Sequence, residues 1–574
     1  MTASSRDEPT AAQAPVPGAG DAPLEGLRGI LLDAAAALGA GGAAARALAS
    51  ITIERPKRPE FGDYSTNAAM ILSGVLRRPP RELAQELGGE VAIRMGADLE
   101  RFEVAGPGFL NLFLGDGWLA RALGRILAAG ADFGAPRAAV RERINVEFVS
   151  ANPTGPLHVG HARNAAYGDS LARILSLRGD EVSREFYVND AGTQVRRLGE
   201  SILALARGEE VPEDGYRGAY VEGLVGLVPR AEAGGAPADP GDIGRAAVAE
   251  LLAQIRSSLE RLRVLPFDHW AFETNLYEGD PSPVARALAL LADAGRTYTD
   301  EGALWLRTTD LGDDKDRVLV RSDGEHTYFA SDVAYQQDKR SRGFDRQILV
   351  LGADHHGYVG RMEAVYGAFG GDPAALELLT MQLVHLVHAG ERALMSKRAG
   401  EFVTLDDLVA EIGVDAARWF LLARSHDTTI DLDLDLAARQ SAENPVYYVQ
   451  YAHARIASML GKVPDARVRA ALTYLEAGAE ELPAPLHGAE RALVEQLLAF
   501  PFELAEAAAR RAPHRIAAYA LALAQDFTAF YHDCRVIGAE PAAVESFRIA
   551  LSAATQRTIA RALVLLGVSA PQVM

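Results

Sequence analysis

Residues 144–179 confine this chain to a narrow set of folds. Ile144, Val146 and Phe148 alternate with Asn145, Glu147 and Val149, the period of a β-strand. The run breaks at Asn152-Pro153-Thr154-Gly155-Pro156, where two prolines fix φ and exclude regular structure. Apolar residues then recur at helical spacing through Ala162, Ala165, Ala166, Leu171, Ile174 and Leu175, and Gly179 is a stop signal. Strand, tight turn and helix form the phosphate-binding corner of an open α/β sheet, where a helix N-terminus offers unpaired N–H groups and partial positive charge to an anion. This corner reads His158-Val159-Gly160-His161. The i, i+3 spacing sets both imidazoles on one face of the first turn, within reach of phosphate oxygens, and Gly160 leaves room for a flat ring against the backbone. One histidine here would be an ordinary polar cap. Two around a glycine, directly after a Gly-Pro turn, point to function.

A chain of 574 residues predicts three or four domains. Hydrophobic residues at 49% and charged residues at 24% are those of a globular protein. No apolar run of about 18 residues occurs, so no membrane span is expected. Residues 1–23 are rich in Ala, Pro and Gly without an apolar core, and read as a disordered tail and not a signal peptide. The single cysteine, Cys534, excludes a disulfide within the chain or a Cys-rich zinc site and fits a reducing compartment. Lying near Phe527, Phe530 and Tyr531, it reads as a packed thiol. The net charge of −19 argues against a polyanionic partner taken whole. The acidity is concentrated in the middle, however. Residues 24–116 hold ten basic and twelve acidic side chains, and residues 441–574 hold twelve and thirteen. Only positions 57, 315, 339, 397 and 462 are lysine among 58 basic residues, so a retained lysine marks a place where a compact ammonium matters. Lys397 draws attention on that ground.

In chain order, residues 24–116 predict a small α+β domain, with helices over 24–49 and 66–95 and a strand pair at 51–53 and 102–114. The basic, then polar segment Arg55–Asn67 interleaves Phe61 and Tyr64, a composition that can follow a nucleic-acid backbone and stack a base, or equally a solvated loop with two packed rings. The sheet domain begins near Arg141. A second strand, Val182–Asp190, ends in Asn189-Asp190-Ala191-Gly192, and a helical insertion is expected over about 195–295. Ala303–Arg307 and Arg317–Arg321 are read as the return to the sheet. Gln347–Asp354 is apolar on both faces, as a central parallel strand is, and leads into Asp354-His355-His356. Ligands of such sheets lie beyond the carboxyl ends of the strands, which places Glu147, Asp190 and Asp354 in one crevice. Met395-Ser396-Lys397-Arg398 is a basic loop suited to closing over a triphosphate. From 437 to 574 the pattern is an all-α bundle, whose first helix gathers Tyr447, Tyr448, Gln450, Tyr451, His453 and Arg455.

His158-Val159-Gly160-His161 together with Met395-Ser396-Lys397-Arg398 on an α/β core resembles the class I aminoacyl-tRNA synthetases. The phrases SANPTGPLHVGHAR, YVNDAGTQ, FASDVAY, LGADHHGY, MSKRAG, NPVYYVQYAHAR and FYHDCRV, and the terminal LLGVSAP, resemble the arginyl-tRNA synthetases in particular, from about residue 24 onward. The resemblance implies a multidomain α/β protein. Its parts would be a small α+β N-terminal domain at 24–116 touching tRNA, a Rossmann-like parallel-sheet catalytic core at 117–436, and an all-α anticodon-binding bundle at 437–574. It implies arginyl-adenylate formation from ATP and L-arginine with magnesium, then transfer to the 3′-terminal ribose of tRNA(Arg), in a cytoplasmic, membrane-free and monomeric enzyme that needs tRNA to activate arginine. By residue, it implies ATP contacts from His158, Gly160, His161, Asp354, His355, Ser396 and Lys397, with His158, His161 and Lys397 catalytic. It implies arginine contacts from Glu147, Asn152, Asp190, Tyr328 and Asp332, and tRNA contacts from Phe61, Tyr64, Tyr447, Gln450, Tyr451 and Arg455. The chemistry agrees: a guanidinium needs carboxylates and planar acceptors, and an apolar or anionic substrate would leave the acids unpaired. One departure stands out. The family's loop opens with Lys before Met-Ser-Lys, and this chain has Leu394 there, with Arg392 and Arg398 as candidates to supply the missing contact.

Rival readings differ in what they require. A cysteine or methionine synthetase commonly uses a Cys-containing zinc site, and a small-molecule adenylyltransferase does not need a long helical C-terminal domain. A silent tRNA-binding relative does not need the intact His pair and Lys397.

Overall fold

A five-stranded parallel sheet organises the middle of the chain. A computed structural model describes residues 23–39, 47–48, 50–56, 58–135, 141–228, 239–392, 403–478 and 485–574. The N-terminal tail and the Met395–Gly400 loop therefore lie outside the described residues.

The N-terminal part is α+β, as expected, with different boundaries. Helix α1 (Pro23–Ala37) stops well short of residue 49, where Gly39 takes a positive φ of 93°. The helix expected over 66–95 is two helices, α2 (Ala68–Leu76) and α3 (Pro80–Met95). Arg77 turns left-handed at φ 53° between them, and proline at positions 79 and 80 cannot continue the ladder. Strands β1 (Ile53–Glu54), β2 (Tyr64–Thr66), β3 (Leu99–Ala105) and β4 (Phe109–Leu114) form an antiparallel sheet in the order β1-β2-β4-β3. Residues 102–114 thus form a hairpin with each other, and the segment read as a loop supplies the strand between them and β1. Helix α4 (Asp116–Ala129) follows and leans on the C-terminal bundle, where Asp116 accepts from the backbone N–H of Leu486 at 2.9 Å.

The parallel sheet has the order β12-β11-β5-β6-β7, from β5 (Arg143–Glu147), β6 (Glu181–Val188), β7 (His269–Phe272), β11 (Arg346–Leu351) and β12 (Leu376–Thr380). β5 is central and buried on both faces, with Ile144, Asn145 and Val146 fully enclosed and Glu147 8% exposed. Helix α5 (Val159–Arg178) crosses back over it and is buried nearly all round. The inserted stretch is mainly helical, as expected, with helices α6 (Gly192–Arg207), α7 (Pro240–Arg261) and α8 (Pro283–Asp293), and β7 lies within it and forms the sheet's edge. Four residues are too short a run to carry a strand period. The expected return to this sheet at 303–321 is corrected. β8 (Thr297–Asp300), β9 (Ala303–Leu306) and β10 (Arg317–Val320) form their own antiparallel sheet, ahead of helix α9 (Tyr328–Ser341). Helix α10 (Val359–Ala368) links β11 to β12.

A three-stranded sheet of β13 (Val384–His388), β14 (Glu391–Arg392) and β15 (Ile430–Asp433) accompanies helices α11 (Leu405–Ile412) and α12 (Val414–Leu422). The rest is helical: α13 (Pro445–Leu460), α14 (Asp465–Glu476), α15 (Gly488–Leu498), α16 (Phe500–Ala509), α17 (His514–Asp533) and α18 (Ala542–Leu565). Arg418 on α12 fastens the bundle to the sheet domain from a fully buried position. It pairs with Asp169 of α5 at 2.6 Å and donates to the carbonyls of Leu566 at 2.6 Å and Leu262 at 2.9 Å. Cys534 is buried, and burial pushes its thiol up to about 11, as for a packed thiol. Among the described residues no helix is long and apolar enough to cross a membrane.

Candidate active site

The corner after β5 is held by a strained turn. Val149 and Ser150 adopt φ of 66° and 37°, a conformation that costs a non-glycine residue roughly 1–3 kcal/mol and persists only where its surroundings enforce it. Asn164 of α5 enforces it. Its Oδ1 accepts the Val149 N–H at 2.7 Å while its Nδ2 donates to the Val350 carbonyl at 2.9 Å. Helix and sheet meet closely here, since a Cβ on Gly168 would lie 2.2 Å from the Phe148 ring.

His158 is the N-cap of α5. Its Nδ1 accepts the Gly160 N–H at 3.1 Å, and the Nδ1 of His161 accepts the His158 N–H at 3.3 Å, a reciprocal capping box. The two rings stack at 3.7 Å with 23° between their planes. A ring whose Nδ1 accepts carries its proton on Nε2, so both imidazoles are set as Nε2–H donors at a helix N-terminus. Gly160 is required beside them, because a Cβ there would sit 2.9 Å from Cε1 of His158. The chain that follows the Met395–Gly400 loop is tied to this corner, with Leu405 donating to the Leu157 carbonyl at 2.8 Å and Thr404 bridged to His158.

At the end of β5 lies a buried acidic cluster. Glu147 at the carboxyl end of β5 stands in register with Glu185 in the middle of β6. α9 lies across them and presents Tyr328, Asp332, Tyr335 and Lys339 along one helical stripe. Lys339 Nζ donates to Glu147 Oε2 at 2.6 Å. The Tyr335 hydroxyl bridges Glu147 at 3.2 Å and Glu185 at 2.8 Å, and Arg342 donates to Glu185 at 2.7 Å. Burial opposes charge on Glu185, but the Arg342 hydrogen bond and the Lys339 and Arg342 charges hold its carboxyl below the ordinary range.

Two further carboxyls face this network, and in them burial outweighs the groups that favour charge. Burial pushes Asp332 from 3.8 up to about 7, with Glu273 and Glu147 adding to the rise against a Tyr358 hydrogen bond and the Arg361 charge. Glu273, 5% exposed, is likewise raised by burial and by Asp190, against hydrogen bonds from Ser331 and Tyr187. The Ser331 hydroxyl donates to it at 3.2 Å, and with the Asn189 amide turned to match its neighbours Nδ2 donates to it at 2.8 Å. Among the described residues neither Glu273 nor Asp332 forms an ion pair. Carboxyls raised by burial and forming no ion pair make a receptor for a cationic group with several N–H donors.

The structure brings some expected residues together and separates others. Glu147 and Asp332 meet in this cluster. Tyr328, 59% exposed, stands at its rim with its hydroxyl 3.1 Å from Thr193 Oγ1, and Asn152 is exposed on the turn above. Asp190 departs from expectation. Its two oxygens accept from the Thr274 N–H at 3.0 Å and the Thr274 hydroxyl at 2.7 Å, so it fixes the turn that delivers Glu273. Asp354 and His355 fall in the turn Ala353–Tyr358, with their side chains outside the described ones, and Ser396 and Lys397 lie outside the described residues. Glu185, Tyr187, Glu273, Tyr335 and Lys339 escaped the sequence reading. The stripe Tyr328-Asp332-Tyr335-Lys339 could have been read from helical spacing, whereas Glu273 carries no signal because β7 is so short.

At the two ends of the chain, Phe61 is exposed on the turn Pro59–Phe61, but Tyr64 is 3% exposed in the core of the N-terminal sheet, where its ring cannot meet a base. Tyr447 and Tyr451 stack at 6.2 Å and 10° on α13, and the Arg455 guanidinium lies 4.7 Å over Tyr451 and 5.1 Å over Tyr531. Gln450 points inward instead, donating to Asp415 and to Ser569 at 3.0 Å, so its role is to tie α13 to the C-terminal segment.

Three family models match the chain: the arginyl tRNA synthetase N terminal domain over residues 27–114, the class I (R) tRNA synthetase catalytic domain over 122–208 and 280–458, and the DALR anticodon binding domain over 449–574. The strand β7 and Glu273 fall in the gap of the second match. The chain is 43% identical over 555 residues to the arginine–tRNA ligase of Bacillus subtilis strain 168, spanning 94% of this chain and 97% of that one. It is 45% identical over 542 residues to that of Frankia alni, spanning 92% and 95%. Its fold is similar to the Thermus thermophilus arginyl-tRNA synthetase, with a TM-score of 0.72 at 24% identity over 96% of this chain and 100% of that one.

Proposed function

We infer the reaction from one premise: the chain belongs to the class I arginyl-tRNA synthetase family, and it joins L-arginine to tRNA(Arg) using ATP. The observation that carries the choice of amino acid is the cluster of Glu147, Glu273 and Asp332, in which the two glutamates add to the rise that burial gives Asp332, on the strand that leads into the His158–His161 corner and on its neighbours. A guanidinium neutralises and hydrogen-bonds these groups together, and an apolar side chain would leave them unpaired.

In the first step an arginine carboxylate oxygen attacks the α-phosphorus of ATP, and the bond from that phosphorus to the bridging oxygen of pyrophosphate breaks. Such transfers depend on positioning and charge stabilisation. His158 and His161 donate Nε2–H to phosphate oxygens beside the N-terminal amides of α5, Gly160 admits the adenosine, and Asp354 and His355 flank it. Ser396 and Lys397 stabilise charge on the departing pyrophosphate. Asp332 and Glu273 hold the guanidinium, Glu147 and Asn152 complete the arginine site, and Tyr328 closes its rim. In the second step a hydroxyl of the terminal ribose attacks the arginyl carbonyl, and AMP leaves with the former carboxylate oxygen.

Magnesium belongs with ATP in this reading. Among the described residues no three His, Cys, Asp or Glu side chains could hold a metal ion, so its ligands would come mainly from phosphate and water. The part up to 116 contacts tRNA through Phe61, residues 117–436 activate arginine, and the bundle from 437 reads the anticodon loop through Tyr447, Tyr451 and Arg455. The enzyme acts as a cytoplasmic monomer.

The test is ATP–pyrophosphate exchange with tRNA(Arg) present. Exchange that depends on both arginine and tRNA is the expected result. Equal exchange with lysine, or none with any amino acid, would overturn the reading.

A further inference from the structure

Lys339 is one of five lysines in a chain with 58 basic residues. It is also the one cation in direct contact with Glu147 among the described residues. Its side chain is 1% exposed, its Nζ lies 2.6 Å from Glu147 Oε2, and the ammonium sits 4.3 Å over the Tyr335 ring. Oε2 of Glu147 also lies 3.2 Å from the Tyr335 hydroxyl, whose single proton is shared with Glu185 at 2.8 Å. Oε1 receives the Ser150 hydroxyl at 3.0 Å. A carboxylate offers about four acceptor positions, so the ammonium at Oε2 and the Ser150 hydroxyl at Oε1 orient the group while Oε1 keeps acceptor capacity. A compact ammonium can deliver charge at one oxygen from a fully enclosed helix position, whereas a guanidinium fork would need a wider space.

We propose that Lys339 is a positioning residue for arginine selection: it holds Glu147 as a charged, oriented acceptor, so that Glu147 Oε1 is presented to the substrate cation. The stripe that carries Asp332 places Lys339 two turns further along α9, where it is fully buried against Glu147. Lys339 therefore acts through Glu147 and touches neither arginine nor ATP. A buried carboxylate stripped of its cation would instead take up a proton or turn from its place. The inference rests on the reading of this pocket as the arginine site.

The test uses full-length enzyme with tRNA(Arg), comparing Lys339→Met, Glu147→Gln and the double variant. Lys339→Met is expected to raise KM for arginine about thirtyfold or more, the loss typical of a broken buried charge pair. KM for ATP should stay within about twofold, since only arginine binding is altered. In the Glu147→Gln background the same substitution should change arginine KM by less than about threefold, because the interaction it removes is already gone. An arginine KM unchanged in Lys339→Met, an equal rise in both backgrounds, or parallel rises in the KM values for arginine and ATP would each overturn the proposal. If Lys339→Met does not fold, the double variant, neutral at both positions, still decides when compared with Glu147→Gln alone. A difference above about tenfold between them would refute action through Glu147. Glu147→Gln with unaltered arginine KM would overturn the pocket reading itself.

Discussion

Asn164 and Val149 are joined across 2.7 Å by a side-chain oxygen and a backbone N–H, and that bond sets the direction in which the chain leaves β5. The same amide reaches the Val350 carbonyl of β11, so one side chain on α5 grips two strand ends at once. Removing it as Asn164→Ala leaves a buried N–H and a buried carbonyl without their partner, at about 1–3 kcal/mol. Denaturant unfolding should show that loss. Arginine KM should rise with it, because Glu147 lies two residues before the strained turn.

The pocket's proton affinity predicts a pH dependence. Asp332 holds its proton up to about 7, and the guanidinium needs the ionised form. Arginine kcat/KM should therefore fall by about tenfold per unit as pH drops below 7, while KM for ATP follows no such limb. Stability runs the other way. A carboxyl with a folded value above its unfolded one favours the fold at low pH, and that contribution is lost as pH rises from about 4 to about 7. Asp332→Asn should unfold at a higher temperature near pH 8 while raising arginine KM by roughly two orders of magnitude.

Gly168→Ala tests the contact between α5 and β5. The added methyl would meet the Phe148 ring at 2.2 Å, and overpacking of this kind costs about 1–3 kcal/mol. Thermal unfolding should shift down, with activity at low temperature reduced less than stability.

Arg418→Met should be costly far from any substrate. It removes one of the two cations on fully buried Asp169, leaving Arg173, and the donor to two carbonyls. Each buried carbonyl left without its donor costs about 1–3 kcal/mol, readable as a drop in the denaturation midpoint.

Tyr451→Ala should weaken tRNA binding by about tenfold to a hundredfold, the worth of one stacking surface. Its ring is 40% exposed beneath Arg455. Gln450→Ala, one residue away, should lower stability first, because its amide is committed to Asp415 and Ser569. Filter binding and unfolding of the two variants separate the roles.

Local chemistry was legible in the sequence wherever a motif and its element coincide in one short segment. The turn after β5, the cap His158-Val159-Gly160-His161 and the stripe holding Tyr328 and Asp332 are of this kind. What depended on long-range pairing was not. β7 is only four residues, and its membership in the sheet follows from its register with Glu185–Val188. Tyr64 lies in a basic, polar segment and only its pairing with Leu112 carries it inward. Asp190 matched the expected place at a strand end but is engaged by Thr274, a residue 84 positions later.

The strand order β12-β11-β5-β6-β7 with α9 laid across it has a consequence for how the enzyme is made. Glu147, Glu185, Glu273, Asp332 and Lys339 enter the pocket in that order from the N-terminus, and a chain emerges from the ribosome in the same order. The early carboxylates are thus synthesised well before the lysine that faces Glu147, and a nascent chain halted before α9 holds an acidic crevice without its counter-ion.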